Sequence, residues 1–117
     1  MKINISLLAI CFMPDYTKLQ LADSPKVSFN LDGRILYSSD KYQLIHLAMR
    51  PGEEMEMHVQ PMDVLFFVVE GEGSLIIGEE VVRAAANMTI HVKAGSSRAW
   101  KNSGEQTLKI LVNKLLA

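Results

Sequence analysis

From Asp32 onward, turn-forming residues break this chain into stretches the length of short strands, and that punctuation limits the possible folds more than any other feature. Asp32 with Gly33, Ser38 to Asp40, Pro51 with Gly52, Gly71 to Gly73, Gly78, Gly95, and Ser103 with Gly104 supply it. Between them, residues 34–38, 41–49, 54–60, 63–70, 74–78, 80–84, 88–92, 98–102 and 107–113 are rich in β-branched, aromatic or aliphatic side chains. No segment after residue 25 carries a helical period. Short strands in this arrangement predict an all-β sandwich or barrel.

A chain of 117 residues buries about two thirds of the surface its unfolded form exposes, enough for one core without disulfides or structural metal. The expected organisation is a segment over residues 1–32, laid on the barrel or on a partner, and the barrel itself over residues 33–117. With a formal net charge of −1 and scattered basic residues, the chain lacks the positive footprint that nucleic-acid binding requires. Cys11 is the single cysteine, so no internal disulfide can form. That fits a reducing compartment, and a cytoplasmic location is expected.

Ile3, Ile5, Leu7, Leu8, Ala9, Ile10, Phe12 and Met13 behind Lys2 have the look of a short signal sequence. The run is too short to span a membrane, so no membrane partner is expected. Asn4 and Ser6 interrupt it, no small-residue cleavage site follows, and Ile10 before Cys11 does not suit a lipoprotein cleavage box. The alternation Ile3, Ile5, Leu7, Ala9 suits a strand with one buried face, pairing with a sheet edge of its own barrel or of a second subunit. Met13 would also make a sensible start.

Successive strand residues point to opposite faces, which divides residues 54–60 into a polar set, Glu54, Glu56, His58 and Gln60, and an apolar set, Met55, Met57 and Val59. Either the polar set faces solvent, or it faces the interior and the methionine face needs cover. In the next stretch Val64, Phe66 and Val68 on one side and Leu65, Phe67 and Val69 on the other are both apolar, as in a strand buried on both faces. An isologous homodimer is the simplest way to supply the cover.

Gly52 is followed after five residues by His58, then Val59, Gln60 and the closing Glu70, Gly71, Glu72, Gly73, and a second motif is formed by Gly95, Arg98 and Asn102. On these residues the chain from Pro51 to Asn102 resembles the cupin superfamily, small single-domain barrels of the cupin 2 type. The resemblance covers residues 33–113 and implies a double-stranded β-helix, or jelly roll, of two antiparallel sheets that can hold a metal inside. The motifs depart from the family pattern where the metal ligands belong. Gln60 replaces the second His, Val64 stands where the Glu belongs with Asp63 one position off, and Arg98 replaces the last His. Lys93 stands in place of a proline.

A catalytic divalent metal wants three or four imidazole or carboxylate ligands and an open position. Here His58 survives, Gln60 offers a weak carbonyl oxygen, Val64 offers nothing, and Arg98 would repel a nearby cation. No cofactor is expected; a divalent metal would need rescue by His46 or His91, or by Asp63 turning inward at a bulge. A buried Arg98 must be paired and hydrogen-bonded. Its partner could be Glu56 or Asp63, or the carboxylate or phosphate of a ligand. Trp100 shares the parity of Arg98 and is either an apolar wall of the pocket or plain core.

His58 beside Glu56 or Asp63 could act as a general acid or base, or simply hydrogen-bond to its surroundings. Met55, Met57 and Met62 read as packing residues. The expected function is a barrel that binds a small anion in a pocket of Gln60, Arg98, Trp100, Glu56 and Asp63. The alternatives are a metal-independent isomerase, epimerase or lyase using His58, or a dioxygenase-like enzyme with rearranged ligands.

Overall fold

A computed structural model describes residues 15–27 and 29–117. The expected strand at residues 3–9 lies outside them. Among the described residues a single 3-10 turn, Leu21–Asp23, precedes nine strands: β1 Asp32–Ser38, β2 Tyr42–Met49, β3 Glu54–Val59, β4 Asp63–Glu70, β5 Glu72–Ile77, β6 Glu80–Ala85, β7 Thr89–Val92, β8 Ser97–Lys101 and β9 Leu108–Leu115. They form two antiparallel sheets, a five-stranded one in the order β1-β2-β9-β4-β7 and a four-stranded one in the order β3-β8-β5-β6. This is the double-stranded β-helix. No helix of the described residues is long and apolar enough to cross a membrane.

The core lies between the sheets because each strand sends alternate side chains inward. Ile45, Leu47 and Met49 do so from β2, Val64, Phe66 and Val68 from β4, and Leu108, Ile110 and Val112 from β9. From the smaller sheet come Leu75, Ala84 and Trp100. Trp100 meets Phe66 edge to face, with ring centroids 5.4 Å apart and planes at 79°.

Two joints hold the ends of the barrel. Asn102, fully buried, donates from Nδ2 to the Met49 carbonyl at 2.8 Å and to the Gln106 carbonyl at 2.9 Å, and its Oδ1 accepts the Gly104 N–H at 3.0 Å. It thereby ties the end of β2 to the β8–β9 turn. Gly71, between β4 and β5, has φ +84, and a Cβ there would lie 2.6 Å from the Thr107 carbonyl oxygen. A side chain at that position is excluded both by its own backbone and by the neighbouring one.

β3 departs from strict alternation. Met55 pairs with Trp100 and His58 with Arg98, so the three steps along β3 match two along β8. The extra residue is a β-bulge, and it resets the parity of the strand. Met55, His58 and Gln60 therefore all turn inward: Met55 packs against the core, while Met57 and Val59 remain 47% and 57% exposed. The reading of all three as one outward face is corrected for Met55, and the reading of Met57 as packing does not hold within one chain. Met62 does pack against the core.

Candidate functional site

Between the sheets lies a cavity of about 510 Å³. Its wall on the larger sheet is apolar, from Ile45 and Leu47 on β2, Val64 and Phe66 on β4, and Val112 on β9. The preceding segment, through Val27 and Leu31, closes one flank, and the exposed Phe29 and Glu56 stand at the mouth. His58, Gln60, Arg98 and Lys114 bring polar chemistry into this apolar space.

Arg98 is fully buried. Nε donates to the Ser96 carbonyl at 3.0 Å, and Nη2 donates to the same oxygen at 2.8 Å and to the Lys93 carbonyl at 3.3 Å. The Gly95 turn presents these carbonyls, and its own N–H is anchored by the Gln60 carbonyl at 2.9 Å. Nη1 is buried without a hydrogen-bond partner among the described residues. Burial lowers the pKa of Arg98, though a guanidinium remains charged at any ordinary pH. A buried cation held by two neutral carbonyls, with one nitrogen uncommitted, lacks the countercharge that normally offsets its desolvation.

The expected carboxylate partners stand elsewhere. Asp63 Oδ2 pairs with His91 Nε2 at 2.8 Å, and its Oδ1 accepts the Ala94 N–H at 2.9 Å, all on the exterior. These contacts, the backbone one first, lower the pKa of Asp63. Glu56 is exposed and makes no ion pair among the described residues. Neither carboxylate closes an ion pair with Arg98: the bulge that directs His58 inward is in β3, while β4 keeps regular alternation from Asp63 to Val68, so Asp63 stays on the side away from the inward-facing Val64.

His58 lines the cavity beside Gln60. Its Nδ1 lies 3.0 Å from the Glu56 carbonyl oxygen. A carbonyl can only accept, so Nδ1 carries the proton and, in the neutral ring, Nε2 is the free base. His58 thus obtains its orienting contact from the backbone, not from the side chain of Glu56 or Asp63. Trp100, whose Nε1 also lacks a partner among the described residues, is wholly core and does not line the cavity. The pocket therefore unites His58, Gln60 and Arg98, with Glu56 at its rim, and leaves out Trp100 and Asp63.

Lys114 is the functional candidate the sequence reading missed. It lies on β9 beside Val64 of β4 and faces the cavity, making no ion pair among the described residues. Burial, and after it the charge of Arg98, lower its pKa. The available signal was period two: Leu108, Ile110 and Val112 point inward, and Lys114 continues their series one residue past where the stretch was expected to end.

The donor set does not fit a divalent metal. His46 stands on the outer face of β2, between the inward-facing Ile45 and Leu47, where burial chiefly lowers its pKa. His91 is exposed on β7 and engaged by Asp63. Neither reaches His58, so the proposed rescue of the metal site by these residues fails on geometry. Among the described residues no three His, Cys, Asp or Glu side chains gather as a metal-holding group. An aliphatic Val64 and a cationic Arg98 line the same space.

Comparisons with known proteins agree with this architecture. Residues 45–113 match the family model described as the cupin domain. Auxin-binding protein 1 of Arabidopsis thaliana is 26% identical over 89 residues, which cover 68% of this chain and 45% of that protein. The chain thus spans less than half the length of that curated relative. A predicted oxalate decarboxylase from Thermotoga maritima superposes with a TM-score of 0.77 at 16% identity, covering 86% of this chain and all (100%) of the other. The polyketide cyclase RemF from Streptomyces resistomycificus gives a TM-score of 0.77 at 15% identity, covering 87% and 80% of the two chains. At such identities these two likenesses speak for the fold alone. With the family match spanning more than half its residues and the two-sheet barrel in place, the chain belongs to the cupin family.

Proposed function

We propose that this cupin barrel binds a small organic anion in its interior, held by Arg98 and not by a resident metal. The supporting observation is the buried guanidinium with Nη1 unpartnered and no carboxylate paired to it among the described residues. A carboxylate oxygen meeting Nη1 would supply both the missing countercharge and the missing acceptor. Gln60 offers a neutral amide to the same ligand, and Phe66, Leu47 and Val112 offer apolar contact to its body. The Thermotoga maritima protein is described as a predicted oxalate decarboxylase, so oxalate belongs in the first ligand panel.

The test is calorimetric titration of wild type and Arg98→Met with oxalate, propionate, benzoate and their amides. Loss of one charge-assisted hydrogen bond should weaken carboxylate binding about 10- to 100-fold. Equal affinity for acids and amides, or an unchanged Arg98→Met, would end this reading.

A second reading rests on the His58 tautomer. With Nδ1 committed to the Glu56 carbonyl, Nε2 can take a proton from a bound substrate, as a metal-independent isomerase, epimerase or lyase requires. Exchange of a ligand's acidic C–H for deuterium, lost in His58→Gln, would identify it. The dioxygenase-like alternative needs ligands that this cavity does not bring together. We further propose that the protein is a cytoplasmic homodimer whose second copy covers Met57 and Val59 on the edge strand β3.

A further inference from the structure

Lys114 and Arg98 enter one cavity from facing sheets, the amine from β9 and the guanidinium from β8. The other charged or titratable side chains lining it are His58, Glu54 and Glu56. Glu54 is engaged by Lys101 Nζ at 3.3 Å, and both carboxylates are on exposed residues. Neither forms an ion pair with Lys114. Two like charges in an apolar space repel, and of the two only lysine can give up its proton. Burial and the neighbouring guanidinium both act in that direction on Lys114. A neutral amine in such surroundings is a nucleophile, and its natural electrophile is a carbonyl carbon.

We propose that Lys114 is a covalent carbonyl-binding site, whose amine condenses with the keto or aldehyde group of a short oxo acid while Arg98 holds that acid's carboxylate. The inference rests on the anion-site reading above and specifies its ligand class. Both side chains line the same cavity of about 510 Å³, which has room beside them for a chain of a few carbons. The Nζ lone pair forms a bond to the carbonyl carbon, and the carbonyl oxygen takes up a proton to give a carbinolamine. The nitrogen then forms the C=N bond as the hydroxyl leaves. Both amine protons depart with the oxygen as one water, so no oxidant, reductant or metal is consumed. In the neutral His58 ring the contact of Nδ1 with the Glu56 carbonyl makes Nε2 the basic nitrogen, and this ring is the group in the cavity that can carry a proton from nitrogen to the departing oxygen.

The experiment treats the full chain with pyruvate and cyanoborohydride, which reduces an imine to a stable secondary amine, and locates the adduct by peptide mass mapping. Lys114 should be labelled at least about 10-fold faster than the exposed Lys93 and Lys101, and acetone, which lacks the carboxylate, should label it at least about 10-fold more slowly than pyruvate does. Lys114→Arg should remove the selective adduct while keeping the charge, and its thermal melt reports that it folds. Labelling of Lys114 no faster than the surface lysines, in wild-type protein with an intact melt, overturns the inference. Calorimetry with propionate separates the two readings. Propionate binding without selective labelling leaves the anion site standing and removes the covalent one; absence of both removes both.

Discussion

His58 and Arg98 are direct register partners across β3 and β8, so an imidazole and a guanidinium stand side by side on the inner surface of the smaller sheet. Gln60 follows on the same side, beyond the bulge. These are the three positions at which the sequence resemblance implies metal ligands.

That geometry makes a gain of function testable. Gln60→His with Arg98→His would place three imidazoles on the inner face and remove the fixed cation. The double variant should bind about one nickel or zinc ion per chain with a Kd below about 10 μM, where wild type binds neither at that level. Calorimetry on chelator-treated protein reads this directly. A folded double variant without metal uptake would mean that the side chains at 58, 60 and 98 do not converge.

Arg98 itself separates stability from binding. Replacing buried ionic groups by apolar side chains of similar volume is often neutral or stabilising by about 1–4 kcal/mol; here Arg98→Met gives up the contacts of Nε and Nη2 to the Ser96 and Lys93 carbonyls but, among the described residues, leaves no carboxylate without its partner. Arg98→Met should therefore unfold in urea at the wild-type midpoint or above, while losing its response to carboxylates. A large loss of stability would show that Arg98 is held as a structural element of the Gly95 turn.

Asn102 should behave in the opposite way. Its side chain makes three hydrogen bonds in a fully buried site, to Met49, Gln106 and Gly104. Asn102→Ala leaves those backbone groups unmet and should cost about 2–4 kcal/mol in denaturant unfolding. Anion affinity, measured at a temperature where the variant is folded, should stay within about 3-fold of wild type, because Asn102 does not line the cavity.

Much of this molecule was legible because turn residues and strand parity are local properties. Residues 63–70 form β4 with the expected bounds, and the other strands fall within two residues of expectation, β9 running on to Leu115. The site was less legible, since a bulge is a tertiary matter. Nothing in residues 54–60 announces that Met55 and His58 share a face; the register against Trp100 and Arg98 imposes it. The same limit applies to Asp63, whose escape to His91 depends on the pairing of β4 with β7.

Oligomeric state follows from the exposed face of β3. Met57 and Val59 are 47% and 57% exposed on a strand that ends its sheet. If a second copy covers them, light scattering should give twice the 13.1 kDa chain mass, and Met57→Lys with Val59→Asp should halve it. A monomeric wild type at about 100 μM would exclude a dimer with a Kd in or below the micromolar range.

The pH dependence of stability gives the last check on Lys114. Its pKa is lowered in the folded chain by burial first and by Arg98 second. Between that lowered value and the ordinary lysine value of about 10.4, the unfolded chain binds more protons than the native one, so stability rises as pH rises through the window. Lys114→Met removes the slope. The variant should be more stable than wild type at neutral pH, and the difference should shrink as pH rises toward the ordinary lysine value. Chemical denaturation at several pH values reads the two curves, and parallel curves would mean that Lys114 is solvated in the folded protein and is no nucleophile.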